Sequence, residues 1–180
     1  MPNYINRVGE KHTTNQGYLI EITECFKSAN CTVLFEDGLI IKKVDYSSSK
    51  SGTLKNPMYR SLCGIGYIGI GKYVASRKSK IYHIWKGVIT RGHDKKFQEK
   101  YPTYKDVTVC KEWHNFQVFA EWFENNYRED YELDKDILIK GNKIYSPKTC
   151  CFVPRYINTL FIKCNSKRGN LPIGVCYSTR

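Results

Sequence analysis

Apolar and polar positions alternate along Tyr18-Leu19-Ile20-Glu21-Ile22, and Cys31-Thr32-Val33-Leu34-Phe35 is a β-branched and aromatic run. Both are strand patterns. Glu36-Asp37-Gly38 separates the second run from Leu39-Ile40-Ile41-Lys42-Lys43-Val44. An Asp-Gly pair tolerates the positive φ angles of a tight turn, so these two runs are expected to form a hairpin. Ser47-Ser48-Ser49-Lys50-Ser51-Gly52 predicts a flexible loop, and Asn56-Pro57 ends the segment. Residues 1–57 are therefore expected to make a small β-rich module.

The period changes further along. Ser79 is placed to cap a helix over residues 80–91, whose apolar stripe is Tyr82, Trp85, Val88 and Ile89 at i, i+3, i+6 and i+7. Pro102 breaks the chain, and a second helix is predicted over 112–127 with Trp113, Phe116, Phe119, Ala120 and Phe123 on one face. Residues 138–152 read as a hairpin around Lys140-Gly141-Asn142-Lys143. Pro154 suits the first turn of a following helix, from which Ile157, Leu160 and Phe161 face inward. Pro172-Ile173-Gly174-Val175-Cys176-Tyr177 would begin another strand. The predicted class is α+β, with a β module at 1–57, a glycine-rich connector at 58–79, and two helices followed by a ββα unit at 80–180.

The connector contains G-x-G-x-x-G at Gly64, Gly66 and Gly69. A dinucleotide site needs a strand before that pattern and a helix after it. Arg60-Ser61-Leu62 is a poor buried strand and Val74-Ala75-Ser76-Arg77 starts no clear helix. The glycines are instead expected to let backbone segments approach closely.

Charge changes the picture more than composition does. The chain carries a net +12 with a pI near 9.3. Asp136 is the last acid; beyond it stand Lys140, Lys143, Lys148, Arg155, Lys163, Lys167, Arg168 and Arg180. A second basic run extends from Lys72 to Lys100, while acids cluster between Glu112 and Asp136. Such segregation suits phosphate binding and predicts DNA or a nucleic-acid-containing complex as partner. No run of 18 apolar residues occurs, so no transmembrane helix and no membrane partner are expected. The N-terminal residues show no basic-then-apolar signal segment. The eight cysteines lack paired zinc-ligand spacing and are expected to be reduced, mostly buried thiols.

Several blocks together resemble phage-encoded HNH endonuclease-like proteins, many of which also carry an Apetala-type DNA-binding domain. They are Tyr82-His83-Ile84-Trp85-Lys86-Gly87, Tyr101-Pro102-Thr103-Tyr104-Lys105, Val109-Cys110-Lys111-Glu112-Trp113, Leu133-Asp134-Lys135 and Tyr145-Ser146-Pro147-Lys148-Thr149-Cys150. The resemblance covers about residues 80–165 and extends weakly to 171–177, which is similar to the first strand of the Apetala-type domain. It implies an HNH-like ββα unit, a truncated C-terminal strand, and the cytoplasm of a bacterial host cell as location.

In the family, a histidine at the end of the first strand activates water, and Asn or His on the helix helps hold one divalent metal. Lys135 aligns with that histidine, Thr149 with the asparagine usual before Cys150, and Asn158 with the helical Asn or His. A lysine ammonium has no free lone pair at neutral pH. The expectation is thus a catalytically impaired HNH-like fold without cofactor, binding nucleic acid through Lys140, Lys143, Lys148, Arg155, Lys163, Lys167 and Arg168. It would act as a transcriptional or accessory factor, or as an inhibitor of a host nucleoprotein defence complex, in the manner of an anti-CRISPR protein meeting a host defence nuclease. Two alternatives stand beside it. One is an active Mg²⁺-dependent HNH endonuclease with a displaced base, for which His12, His83, His93 and His114 are the histidines available. The other is a purely protein-binding module using the acidic 112–136 segment.

Overall fold

The computed structural model describes residues 5–160, and the features expected at Phe161, Lys163, Lys167, Arg168 and 171–177 lie outside the described residues. Strands come first and helices dominate afterwards, an α+β arrangement. The chain divides into two units, Met1–Tyr59 and Arg60–Arg180.

In the first unit, β1 (Lys11–Thr13), β2 (Leu19–Lys27), β3 (Asn30–Phe35) and β4 (Ile40–Val44) form an antiparallel sheet in that order. Alternation puts Ile20 and Ile22 of β2 inside, against Val33, Phe35 and Val44. The Asp-Gly turn forms as the sequence implies. Gly38 has φ +86° and its N–H donates to the Phe35 carbonyl at 2.9 Å. Two expectations need correction. Residues 47–52 are not a loop throughout, because Asp45 accepts from the Ser47 N–H at 2.9 Å and caps a short helix, α1 (Tyr46–Lys50). Cys25 and Cys31 are not reduced thiols: register sets them opposite each other in β2 and β3, and they are joined as a disulfide. Asn56 has its side chain bonded to Asp37 at 2.7 Å and its N–H to Gln16 at 2.7 Å, which ties the end of this unit to its hairpin turn.

The second unit is built on aromatic packing. α2 (Lys80–His93) begins at Ser79, whose hydroxyl accepts from the Tyr82 N–H. It buries Trp85, Val88 and Ile89. α3 (Lys95–Lys100), a 3-10 turn at Pro102–Tyr104 and β5 (Thr108–Val109) follow. The predicted helix over 112–127 is two pieces: a 3-10 turn Lys111–His114 and α4 (Phe116–Asn126). Asn115 separates them because its side chain accepts from the Gln117 N–H at 2.9 Å, which makes it a cap and not a helix interior. Trp113, Phe116, Phe119, Ala120 and Phe123 all reach the core from these two pieces, and the Trp85 indole donates to the Trp113 carbonyl at 2.8 Å.

The last part forms β6 (Tyr131–Asp134), β7 (Ile144–Tyr145), β8 (Cys151–Pro154) and α5 (Arg155–Leu160). The hairpin expected within 138–152 is displaced. β6 pairs antiparallel with β8, from Tyr131↔Pro154 to Asp134↔Cys151, while β7 pairs in parallel with β5. The apolar run that suggested a strand is solvent-facing, with Leu138 and Ile139 55% and 51% exposed. The order is nevertheless strand, long loop, strand and helix.

The glycine-rich segment packs against the start of α4. A Cβ on Gly69 (φ +74°) would fall inside the Asn115 carboxamide, and one on Gly71 inside the Gln117 side chain. Gln117 accepts from the Tyr73 N–H and donates to the Tyr73 carbonyl, both at 2.9 Å. The glycines therefore allow a close backbone approach.

Candidate nucleic-acid interface

Lys135 directly follows β6, and its side chain reaches back to the loop that comes next. It is 8% exposed. Its Nζ donates to Asp136 Oδ2 at 2.7 Å and to the Asn142 carbonyl at 2.9 Å. Asn142 returns the bond, its Nδ2 donating to the Lys135 carbonyl at 2.9 Å and to the Ile144 carbonyl at 2.7 Å. Asp134 Oδ1 accepts from the Asp136 and Ile137 N–H groups at 2.6 and 2.7 Å. Lys135 and its neighbours thus form a clasp that closes residues 135–142.

Thr149 closes the next stretch. Its hydroxyl meets Ser146 Oγ at 2.8 Å and the Ile144 carbonyl at 2.6 Å. Asn158 donates to Glu132 Oε2 at 2.8 Å, and Arg155 Nε lies 3.7 Å from Glu132 Oε1, so one carboxylate on β6 holds the first turns of α5.

Two adjoining clefts run along β6. The first, about 320 Å³, is lined by Lys135, Asp134, Asn158, Arg91, Tyr104 and Tyr145 among others. The second, about 750 Å³, is lined by Lys80, His83, Gly87, Arg91, Glu132, Arg155 and Asn158 among others. Arg91 and Asn158 belong to both. Lys135 and Asn158 line the smaller cleft together, and Thr149 is in neither lining. Arg155 also reaches this groove. Lys140, Lys143 and Lys148 are exposed on the 135–150 loop and line neither cleft.

Lys80, His83 and Arg91 of α2 are the residues that the sequence did not single out as contacts. Their signal was present in the spacing: positions 80, 83, 87 and 91 share one helix face, opposite the core stripe. Gly87 leaves the backbone open in the middle of that face. α2 itself contains no acid. His83 is exposed, with Nε2 2.5 Å from the Arg77 carbonyl.

The other groups are held neutral. Burial pushes the Cys150 thiol up to about 12 and Cys110 up to about 11. Burial also raises Tyr145, with Arg91 opposing it. Burial lowers His93, helped by His114, whose ring centroid is 5.4 Å away.

Where the resemblance would place base and metal, Lys135, Asn158 and the neighbouring Asp134 do not fit Mg²⁺. Asp134 Oδ1 is filled by two backbone donors, Asn158 is donating to Glu132, and Lys135 presents a cation. Among the described residues no group of three or more His, Cys, Asp or Glu is placed to hold a metal ion. Among the same residues no helix is long and apolar enough to cross a membrane. Compared with protein-family models, curated proteins and solved structures, the chain matches none.

Proposed function

We propose that this protein binds nucleic acid on an HNH-like ββα frame and does not cut it. The observation that carries the reading is Lys135. At the end of β6, where the family keeps its general base, stands a buried ammonium bonded to Asp136 and to the Asn142 carbonyl. A group in that position stabilises a loop; it has no lone pair to accept a proton from water.

Charge supports the binding half of the reading. Residues 60–180 hold 22 Lys and Arg against 11 Asp and Glu, so nearly all of the net +12 belongs to the second unit. Phosphate contacts of this sort give affinity that falls steeply with salt. The bacterial host cytoplasm, and a nucleoprotein complex of host defence as the place where such a fold meets nucleic acid, belong to the same proposal.

Supercoiled plasmid incubated with Mg²⁺ or Mn²⁺, beside an EDTA control, is the test. Binding that weakens with salt, with the plasmid left intact, is expected. Metal-dependent nicking would overturn the non-cutting reading and turn attention to His83, which shares the larger cleft with Asn158. An absence of any mobility shift at low salt would leave a protein-binding module.

A further inference from the structure

Beside the groove along β6, where Lys80, Arg91, Lys135 and Arg155 stand among Asp130, Glu132, Asp134 and Asp136, lies a hollow of different character. It is about 610 Å³, lined by Asp130, Tyr131, Pro154, Arg155, Tyr156 and Thr159. Asp130, Tyr131 and Arg155 are shared with the larger cleft, so the two are continuous. On one side of this shared wall stand Lys80, His83 and Arg91; on the other stand Tyr156, Pro154 and Thr159.

Tyr156 is 69% exposed on α5. That contrasts with the aromatic residues nearby in sequence. Phe152 stacks on Trp122 at 5.3 Å and meets Phe123 and Tyr127 edge-on, so its ring is used in packing. A large ring left in solvent at the mouth of an apolar hollow has no such use. The Glu132 carboxylate on the groove side is already bridged by Arg155 and Asn158, which reduces its repulsion of an incoming anion.

An apolar, aromatic surface next to the Lys80 and Arg91 side chains matches a nucleotide whose base is free to leave its stack. The phosphate meets Lys80 and Arg91 while the base lies against Tyr156. A paired base inside a duplex offers no face to such a shelf, whereas a single strand offers one at every nucleotide.

We infer that the α2–β6–α5 groove, with the Tyr131–Tyr156 hollow beside it, is a site for single-stranded nucleic acid, holding one unpaired base on Tyr156. This rests on the nucleic-acid reading above and adds the strandedness of the ligand.

The experiment is fluorescence anisotropy of the full chain with labelled oligothymidylate and with a blunt duplex of equal length. The single strand is expected to bind more tightly. Tyr156→Ala is expected to weaken oligothymidylate binding by about fivefold or more, in line with removal of one base–aromatic stack. Tyr156→Phe keeps the ring and keeps the affinity. Because Tyr156 is exposed, neither variant removes core packing, and matching thermal melts verify this. Wild-type affinity in Tyr156→Ala, or an equal weakening on the duplex, would overturn the single-strand site and leave the nucleic-acid reading standing. Failure of both probes to bind at low salt would overturn both.

Discussion

Lys135→Met separates a structural lysine from a catalytic one. Methionine keeps the aliphatic stem and removes the ammonium, so packing is largely retained. Two charge-assisted bonds disappear, to Asp136 at 2.7 Å and to the Asn142 carbonyl at 2.9 Å. The Asp136 side chain is half exposed while that of Lys135 is 10% exposed. Solvent screening therefore limits the ion pair to under about 1 kcal/mol. The bond to a carbonyl inside the clasp contributes about 1.5 kcal/mol. The expected destabilisation is about 2 kcal/mol, which lowers the Tm of a unit of this size by about 8 °C. Trp85, Trp113 and Trp122 are the three tryptophans, and all belong to the second unit, so thermal melts followed by tryptophan fluorescence read that unit. Asp136→Asn retains an acceptor and is expected to cost less than half as much. If Lys135→Met melts with the wild type, or Asp136→Asn costs as much as Lys135→Met, Lys135 does not hold the loop in the way described.

Other outcomes follow from the same geometry. Lys135→His is expected to lose stability without gaining plasmid nicking, because Asp134 and Asn158 remain committed to other bonds; metal-dependent nicking by this variant would contradict that. Gly69→Ala forces a Cβ into Asn115 and holds alanine at φ +74°, so the cap of α4 is displaced; urea unfolding should show a destabilisation of about 2 kcal/mol. His93 is held below the ordinary histidine value by burial and by His114, so the folded state favours the neutral ring. Its contribution is fully present above about pH 6.5 and lost as pH falls below that value. Urea midpoints should therefore drop between pH 7.5 and 5.5, and His93→Phe should flatten the drop. Replacing Lys80 and Arg91 by Gln should lower the slope of log affinity against log salt on duplex DNA by about 0.9 for each phosphate no longer neutralised; replacing Lys140 and Lys148 should change it less, and the reverse result would return the interface to the loop.

The α+β class, the β3–β4 hairpin, the Ser79 cap and the aromatic core were all legible in the chain before any folding was considered. Each of these depends on near neighbours: an Asp-Gly turn, a serine before an apolar stripe, rings at helical spacing. Relations set by strand register and tertiary pairing were not legible. The hairpin expected from residue 138 onward does not form there, because the sheet edge opposite β8 is taken by 131–134, and Leu138 and Ile139 turn outward. Cys25 and Cys31 are a pair only because β2 and β3 adopt one register. Lys135 becomes a clasp only when the chain brings Asn142 back to it. The groove along β6 arises in the same way, since Arg91 on α2 and Arg155 and Asn158 on α5 are far apart in sequence and meet across β6. Helix and turn preferences are local free energies; pairing and burial are decided by the whole chain at once.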